Sequence, residues 1–171
     1  MSSHQEFIPA NETYSSSFNK GDLALPPKKR LIVVTCMDAR IEPLSQIGLD
    51  LGDAHIIRNA GGSAREALRS IVVSQRLLAT NQIAVFRHTD CGMLTFTNEQ
   101  LREQVIAASP GNAAIAEAVN AIDFLPIPSL EENVKADVQF LKENPLVFEA
   151  TTLTGWIYDV HTGKVCKNVF R

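Results

Sequence analysis

The chain has 171 residues, 45% hydrophobic and 20% charged, the balance of a globular domain built on one core. That composition excludes a disordered, collagen-like or disulfide-scaffold protein, and a formal net charge of -3 provides no basic field for nucleic acid or anionic lipid. No apolar run approaches the roughly 20 residues of a membrane span, and three cysteines read as reduced thiols rather than as a disulfide framework.

The expectation is one domain over residues 1–171, an arm (1–30) followed by a core (31–171), in a cytoplasmic protein with no membrane or nucleic-acid partner. Glu6 and Glu12, with no arginine before Arg30, argue against a targeting leader. Residues 1–7 read as a polar, frayed end. A short amphipathic helix is expected from Ile8 to Phe18, an arm with little core of its own to pack on. Pro26-Pro27 stops it, and Lys28-Lys29-Arg30 is a solvated lead-in.

Leu31-Ile32-Val33-Val34-Thr35 is a continuous apolar run of the kind buried on both faces of a sheet, and His55-Ile56-Ile57 and Ile83-Ala84-Val85-Phe86 are similar. Between the last two, Gly61-Gly62 is a break, Ser63 with Glu66 predicts a capping box, and Ala67, Leu68, Ile71, Val72, Leu78 and Ala79 form an apolar stripe at helical spacing. Strand, helix and strand in this order predict a parallel, right-handed βαβ unit. Thr97 with Gln100 caps a further helix ending near Pro110, residues 112–122 are helical, and Ser129 with Glu132 caps a last helix to about Glu143. Trp156–Tyr158 and Val165–Val169 predict a closing hairpin. The fold class is α/β, a mostly parallel central sheet flanked by helices, with an N-terminal helical arm.

Three segments fall just past predicted strand ends, where a parallel sheet gathers its functional groups. They are Cys36-Met37-Asp38-Ala39-Arg40, Arg58-Asn59-Ala60-Gly61-Gly62 and His88-Thr89-Asp90-Cys91-Gly92. If the first and third strands are neighbours, Cys36, His88 and Cys91 converge, and two thiolates with one imidazole suit zinc. Each residue alone also has a plainer reading: a cysteine packs as a small hydrophobe, and a histidine hydrogen-bonds at a strand end. Spacing alone leaves both open.

The strings VVTCMDAR, HIIRNAGG and HTDCGMLTFT resemble those of the β-class carbonic anhydrases, most of all the short single-domain members of microbes and fungi. The resemblance implies the β-carbonic-anhydrase fold, Zn2+ held by Cys36, His88 and Cys91, and a catalytic dyad of Asp38 and Arg40. It also implies zinc-hydroxide attack on a small cumulated carbon, either hydration of carbon dioxide to bicarbonate or hydrolysis of carbonyl sulfide, and assembly as a homodimer or a dimer-based tetramer through the arm. Asp38 is then placed either to orient the nucleophile or to become the fourth ligand, with Arg40 deciding between the two. Arg87 departs from the pattern, since many short relatives carry histidine there; it reads as a strand-end charge reaching solvent.

Gly61 and Gly62 permit close backbone approach at a helix N-terminus, a candidate substrate-binding turn for an anionic product, or a plain strand-to-helix turn. Cys166 reads as a packed or edge thiol. Two other classes compete: a structural zinc protein with Cys166 as fourth ligand, and a non-catalytic anion-binding module.

Overall fold

The structure, a computed structural model, describes residues 2–170, the backbone alone for 166–170. Its centre is a sheet in the order β2-β1-β3-β4-β5. The strands are β1 (Leu31–Cys36), β2 (Ala54–Asn59), β3 (Gln82–His88), β4 (Thr152–Asp159) and β5 (Lys164–Phe170). The first four run parallel, and β5 returns antiparallel to β4 as the hairpin. β4 is longer than the expected Trp156–Tyr158 because its first half pairs with β3 from Gln82↔Thr152 onward.

Among the described residues six α-helices accompany the sheet: α1 (Phe7–Ser16), α2 (Pro43–Gln46), α3 (Ala64–Leu78), α4 (Asn98–Ala107), α5 (Ala113–Asn120) and α6 (Leu130–Glu143). The apolar runs of β1 and β3 are buried on both faces. Ile32, Val34, Ile83 and Val85 pack with Ala64, Ala67, Ile71 and Leu141 of α3 and α6, and Val33, Ala84 and Phe86 pack on the other face with Ile47, Leu49 and Trp156. This two-sided burial explains why those runs do not alternate with polar residues.

Local signals account for most helix starts. Thr97 and Gln100 form both halves of a capping box, and Ser63 Oγ accepts the Glu66 amide at 3.4 Å. Ser129 takes the N-cap position of α6 but makes no side-chain cap bond, and Glu132 is drawn instead to Lys135 Nζ at 2.7 Å. Ala79, expected in the apolar stripe of α3, leaves the helix in the left-handed conformation at φ 56°. At the N-terminus a 3-10 turn over Ser3–Glu6 precedes α1, so the chain is ordered earlier than the frayed end expected there. No residue of α1 is buried.

From β1 the chain goes to β2 on one side, and α3 then carries it across to β3 on the other. The carboxyl ends of β1 and β3 therefore flank a topological switch point, the crevice where such sheets place their sites. Cys36 ends β1 and His88 ends β3.

Candidate metal centre

Cys36, His88 and Cys91 are all buried, and their donor atoms lie within 4.8 Å of one another, with Cys36 Sγ 4.0 Å from Cys91 Sγ. Asp90, at φ 53°, turns the chain sharply enough for Cys91 to come back beside His88. The His88 ring is oriented by Nδ1, 2.9 Å from the Thr89 carbonyl oxygen. That bond assigns the proton to Nδ1 and leaves Nε2 as a lone-pair donor. Nε2 is buried without a hydrogen-bond partner among the described residues, which is costly for an ordinary core histidine. A buried orphan nitrogen facing two thiols fits a zinc ion: soft, anionic sulfur plus one imidazole is the donor set zinc takes in sites with an open position.

Among the three donors, the surroundings favour the anionic form of one sulfur. The hydrogen bond from Cys91 holds the Cys36 thiol below its ordinary value, helped by His88 and by the Asp38 amide at 3.4 Å. The same contact, with burial, pushes the Cys91 thiol up, the opposite direction to its neighbour. Burial is the largest influence on His88 and opposes its charge, but the nearby Cys36 sulfur, the Thr89 carbonyl at Nδ1 and the Asp38 carboxylate together outweigh burial and raise its pKa.

Asp38 and Arg40 stand at the mouth. Arg40 donates its backbone amide and Nε to Asp38 Oδ1 at 2.9 and 3.0 Å, and Nη2 to Asp38 Oδ2 at 2.8 Å. Its Nη1 reaches Asp90 Oδ2 at 2.7 Å and Nη2 also bonds the Asp90 carbonyl at 2.9 Å. These bonds, Arg40 foremost, keep the Asp38 carboxyl far below the usual carboxylate range. Asp38 Oδ2 is 3.9 Å from His88 Nε2, so the carboxylate lies beside the donor cluster while committed to Arg40.

Two residues to which sequence reasoning gave no role complete the frame. Arg58 donates to the carbonyls of Cys36 and Asp38 at 3.0 and 2.7 Å, holding the loop that presents both side chains. Gln46 bonds Tyr158 Oη at 2.9 Å, tying α2 to β4 beneath that loop. The signal for Arg58 was its place at the end of β2, one residue before Asn59 pairs with Cys36; for Gln46 the sequence carried none.

Gly61 and Gly62 are buried, at φ 70° and 73°. A Cβ on Gly62 would lie 2.9 Å from the Thr35 carbonyl carbon and 3.0 Å from the Phe86 oxygen, so the turn sits against the backbones of β1 and β3. The Ser63 amide that follows is taken by Asn59 Oδ1 at 2.6 Å. Arg87 overturns its expectation. It is 3% exposed, donates Nη1 to the Gly61 carbonyl at 2.6 Å and pairs with Asp137 of α6 at 2.5 Å. The reason is strand alternation: Arg87 shares the face of Ile83 and Val85, under α6, and cannot reach solvent there. The side chain of Cys166 lies outside the described residues, and with it the expected edge thiol and the four-ligand structural site.

A parallel α/β sheet with a thiolate–imidazole cluster at its switch point and a carboxylate–guanidinium pair at the mouth defines a class of metal-dependent small-molecule enzymes. The family model described as carbonic anhydrase matches residues 31–165, and the chain belongs to the β-carbonic anhydrase family. It is 36% identical over 166 residues to the β-carbonic anhydrase 1 of Mycobacterium tuberculosis, covering 96% of this chain and 97% of that one. Against the carbon disulfide hydrolase of an Acidianus species it is 33% identical, covering 84% of this chain and 79% of the relative. The solved structure of a carbonic anhydrase from Glaciozyma antarctica superposes with a TM-score of 0.93 at 45% identity, over 99% of this chain and 100% of that one.

Proposed function

We propose that the chain is a zinc enzyme that hydrates carbon dioxide reversibly to bicarbonate and a proton. The observation that carries this reading is the orphan His88 Nε2 facing Cys36 and Cys91, with Asp38 held beside it by Arg40. Cys36, His88 and Cys91 would hold the zinc, which when bound supplies Lewis-acid activation of water near neutral pH. Asp38 accepts a hydrogen bond from the attacking water and aims it. Arg40 keeps that carboxylate aimed and prevents it from swinging onto the donor cluster as a fourth ligand. Gly61 and Gly62 act at one remove, by bringing the positive end of α3 against the strand ends, where an anionic product gains most from it.

Carbonyl sulfide hydrolysis to carbon dioxide and hydrogen sulfide is the second reading, favoured by the 33% identity to a carbon disulfide hydrolase. Carbon dioxide and carbonyl sulfide are near-isosteres, which an apolar pocket separates weakly. Side-by-side kinetics on both gases, with zinc content measured on the same sample, decide between them. Faster turnover of carbon dioxide is expected; faster turnover of carbonyl sulfide replaces the first reading with the second, and turnover of neither overturns both in favour of a binding module.

We also infer assembly with a second copy, as a dimer or a dimer-based tetramer. Phe7, Ile8 and Tyr14 of α1 are 62%, 71% and 58% exposed and Leu25 is 79% exposed, more apolar surface than one arm leaves to water without a partner. The free, buried thiols of Cys36 and Cys91 suit a reducing compartment, which supports a cytoplasmic location.

A further inference from the structure

Burying an ion pair is seldom a gain in stability: well-packed apolar residues of similar volume are often as good or better. Arg87 and Asp137 are nevertheless 3% and 5% exposed, and Arg87 Nε is buried with no partner among the described residues. What the pair does is join three elements. Its guanidinium sits on the penultimate residue of β3, bonds Asp137 of α6 and bonds the Gly61 carbonyl in the turn before α3. The next residue of β3 is His88. A Cβ on Gly61 would lie 2.8 Å from Arg87 Nη1, 3.0 Å from Met93 Cγ and 3.1 Å from Ile127 Cδ1. Met93 and Ile127 are the apolar side chains that pack with Cys36 and Cys91. The guanidinium, the Gly61 turn and the two thiols therefore form one contiguous packed unit.

We propose that the Arg87–Asp137 pair is a positioning device for the metal site, anchoring the end of β3 and the Gly61 turn to α6 so that His88, Cys36 and Cys91 keep their mutual spacing. This rests on the reading of those three residues as zinc ligands. Arg87 is not one of the three donors; it acts through His88 and through the packing beneath the cysteines. Partners that orient ligands from outside the coordination sphere are worth about 10- to 100-fold in metal affinity.

The test uses the full chain in three forms: wild type, Arg87→Lys, and the double variant Arg87→Met with Asp137→Leu. Each is assayed for zinc affinity by chelator competition, for the absorption spectrum of the cobalt-loaded protein, and for thermal unfolding of the metal-free protein. The double variant leaves no charge stranded, so its metal-free form is expected to unfold within a few degrees of wild type while binding zinc about tenfold or more weakly, with a shifted cobalt spectrum. Arg87→Lys keeps the charge but cannot span both acceptors, and is expected to weaken zinc several-fold with the fold intact; it carries the test if the double variant fails to fold. Wild-type affinity and an unshifted spectrum in Arg87→Lys, or in a folded double variant, overturn the proposal alone. A wild-type chain that binds no zinc overturns the zinc reading and this proposal with it.

Discussion

Arg40 grips Asp38 through both carboxylate oxygens, Nε on Oδ1 at 3.0 Å and Nη2 on Oδ2 at 2.8 Å, while its remaining edge is fastened to Asp90. Asp90 precedes Cys91, so one guanidinium links the loop after β1 to the loop after β3. The relationship makes Asp38 an aimed group rather than a free one. Arg40→Ala is therefore expected to cut turnover at neutral pH about a hundredfold, the scale of losing one preorganised group. Zinc should stay, because Arg40 contributes no electron pair to a metal. Metal analysis and steady-state rates on the same sample check it, and near-wild-type turnover with zinc intact would show the dyad to be structural.

Removal of any donor should remove the metal. Cys36→Ser, His88→Ala and Cys91→Ser are each expected to lose zinc and activity together, since three protein donors are the minimum for a catalytic zinc site. Stoichiometric zinc in all three purified variants is the result that sinks the assignment.

Sequence position brought Cys36 and His88 together because both end strands, with Cys91 just beyond, while the choice of zinc over plain packing came from the resemblance. The β-branched runs located β1 and β3, and residues directly after such runs fall at one sheet edge whatever the loops do. The pairing of Asp38 with Arg40 as a dyad came from the resemblance to the β-carbonic anhydrases, not from position. Arg87 was misread because β3 was expected to stop at Phe86. Two further paired residues, Arg87↔Ile157 and His88↔Tyr158, turn a supposed strand-end charge into a buried one. Its partner Asp137 lies 50 residues away on another element, and no local pattern announces an ion pair of that range. Gln46 escaped similarly, since its bond to Tyr158 spans 112 residues.

Gly62 offers a steric test of the turn. Its φ of 73° already disfavours a side chain, and the atoms that a Cβ would meet are backbone atoms of β1 and β3 that cannot step aside. Gly62→Ala should destabilise the fold by about 2 kcal/mol or more, combining overpacking with left-handed strain. Chemical denaturation measures it; a change under about 0.5 kcal/mol, the scale of neutral surface substitutions, would mean that the turn shifts freely.

The arm offers a test of assembly. Deleting residues 1–25 removes Phe7, Ile8, Tyr14 and Phe18, none of which packs into a buried core cluster of its own chain. Self-association should weaken while the sheet stays folded. Light scattering at micromolar concentration, with circular dichroism alongside, reads both; a full-length chain that is already monomeric contradicts the assembly.

The last expectation concerns acid stability, at a place remote from the Cys36–His88–Cys91 cluster. Asp53 Oδ2 accepts the Asp50 amide at 3.1 Å and faces Lys29 Nζ at 3.4 Å. The amide bond foremost, and then Lys29, hold its carboxyl below the ordinary value. A depressed folded value means that the unfolded chain binds the proton first as pH falls, so the stability that this group contributes is fully present above about pH 5. It declines as pH drops through the unfolded carboxyl's range, near 4, and is gone once pH lies below the folded value. Asp53→Asn keeps an acceptor for the Asp50 amide but carries no charge to titrate. The stability difference between wild type and Asp53→Asn should therefore be largest from pH 5 to 7 and shrink steadily toward pH 3. Urea denaturation of both proteins across that range measures it. A difference that stays constant with pH would mean that the carboxylate contributes through shape and hydrogen bonding alone, and that Lys29 and the Asp50 amide do not favour its charged form.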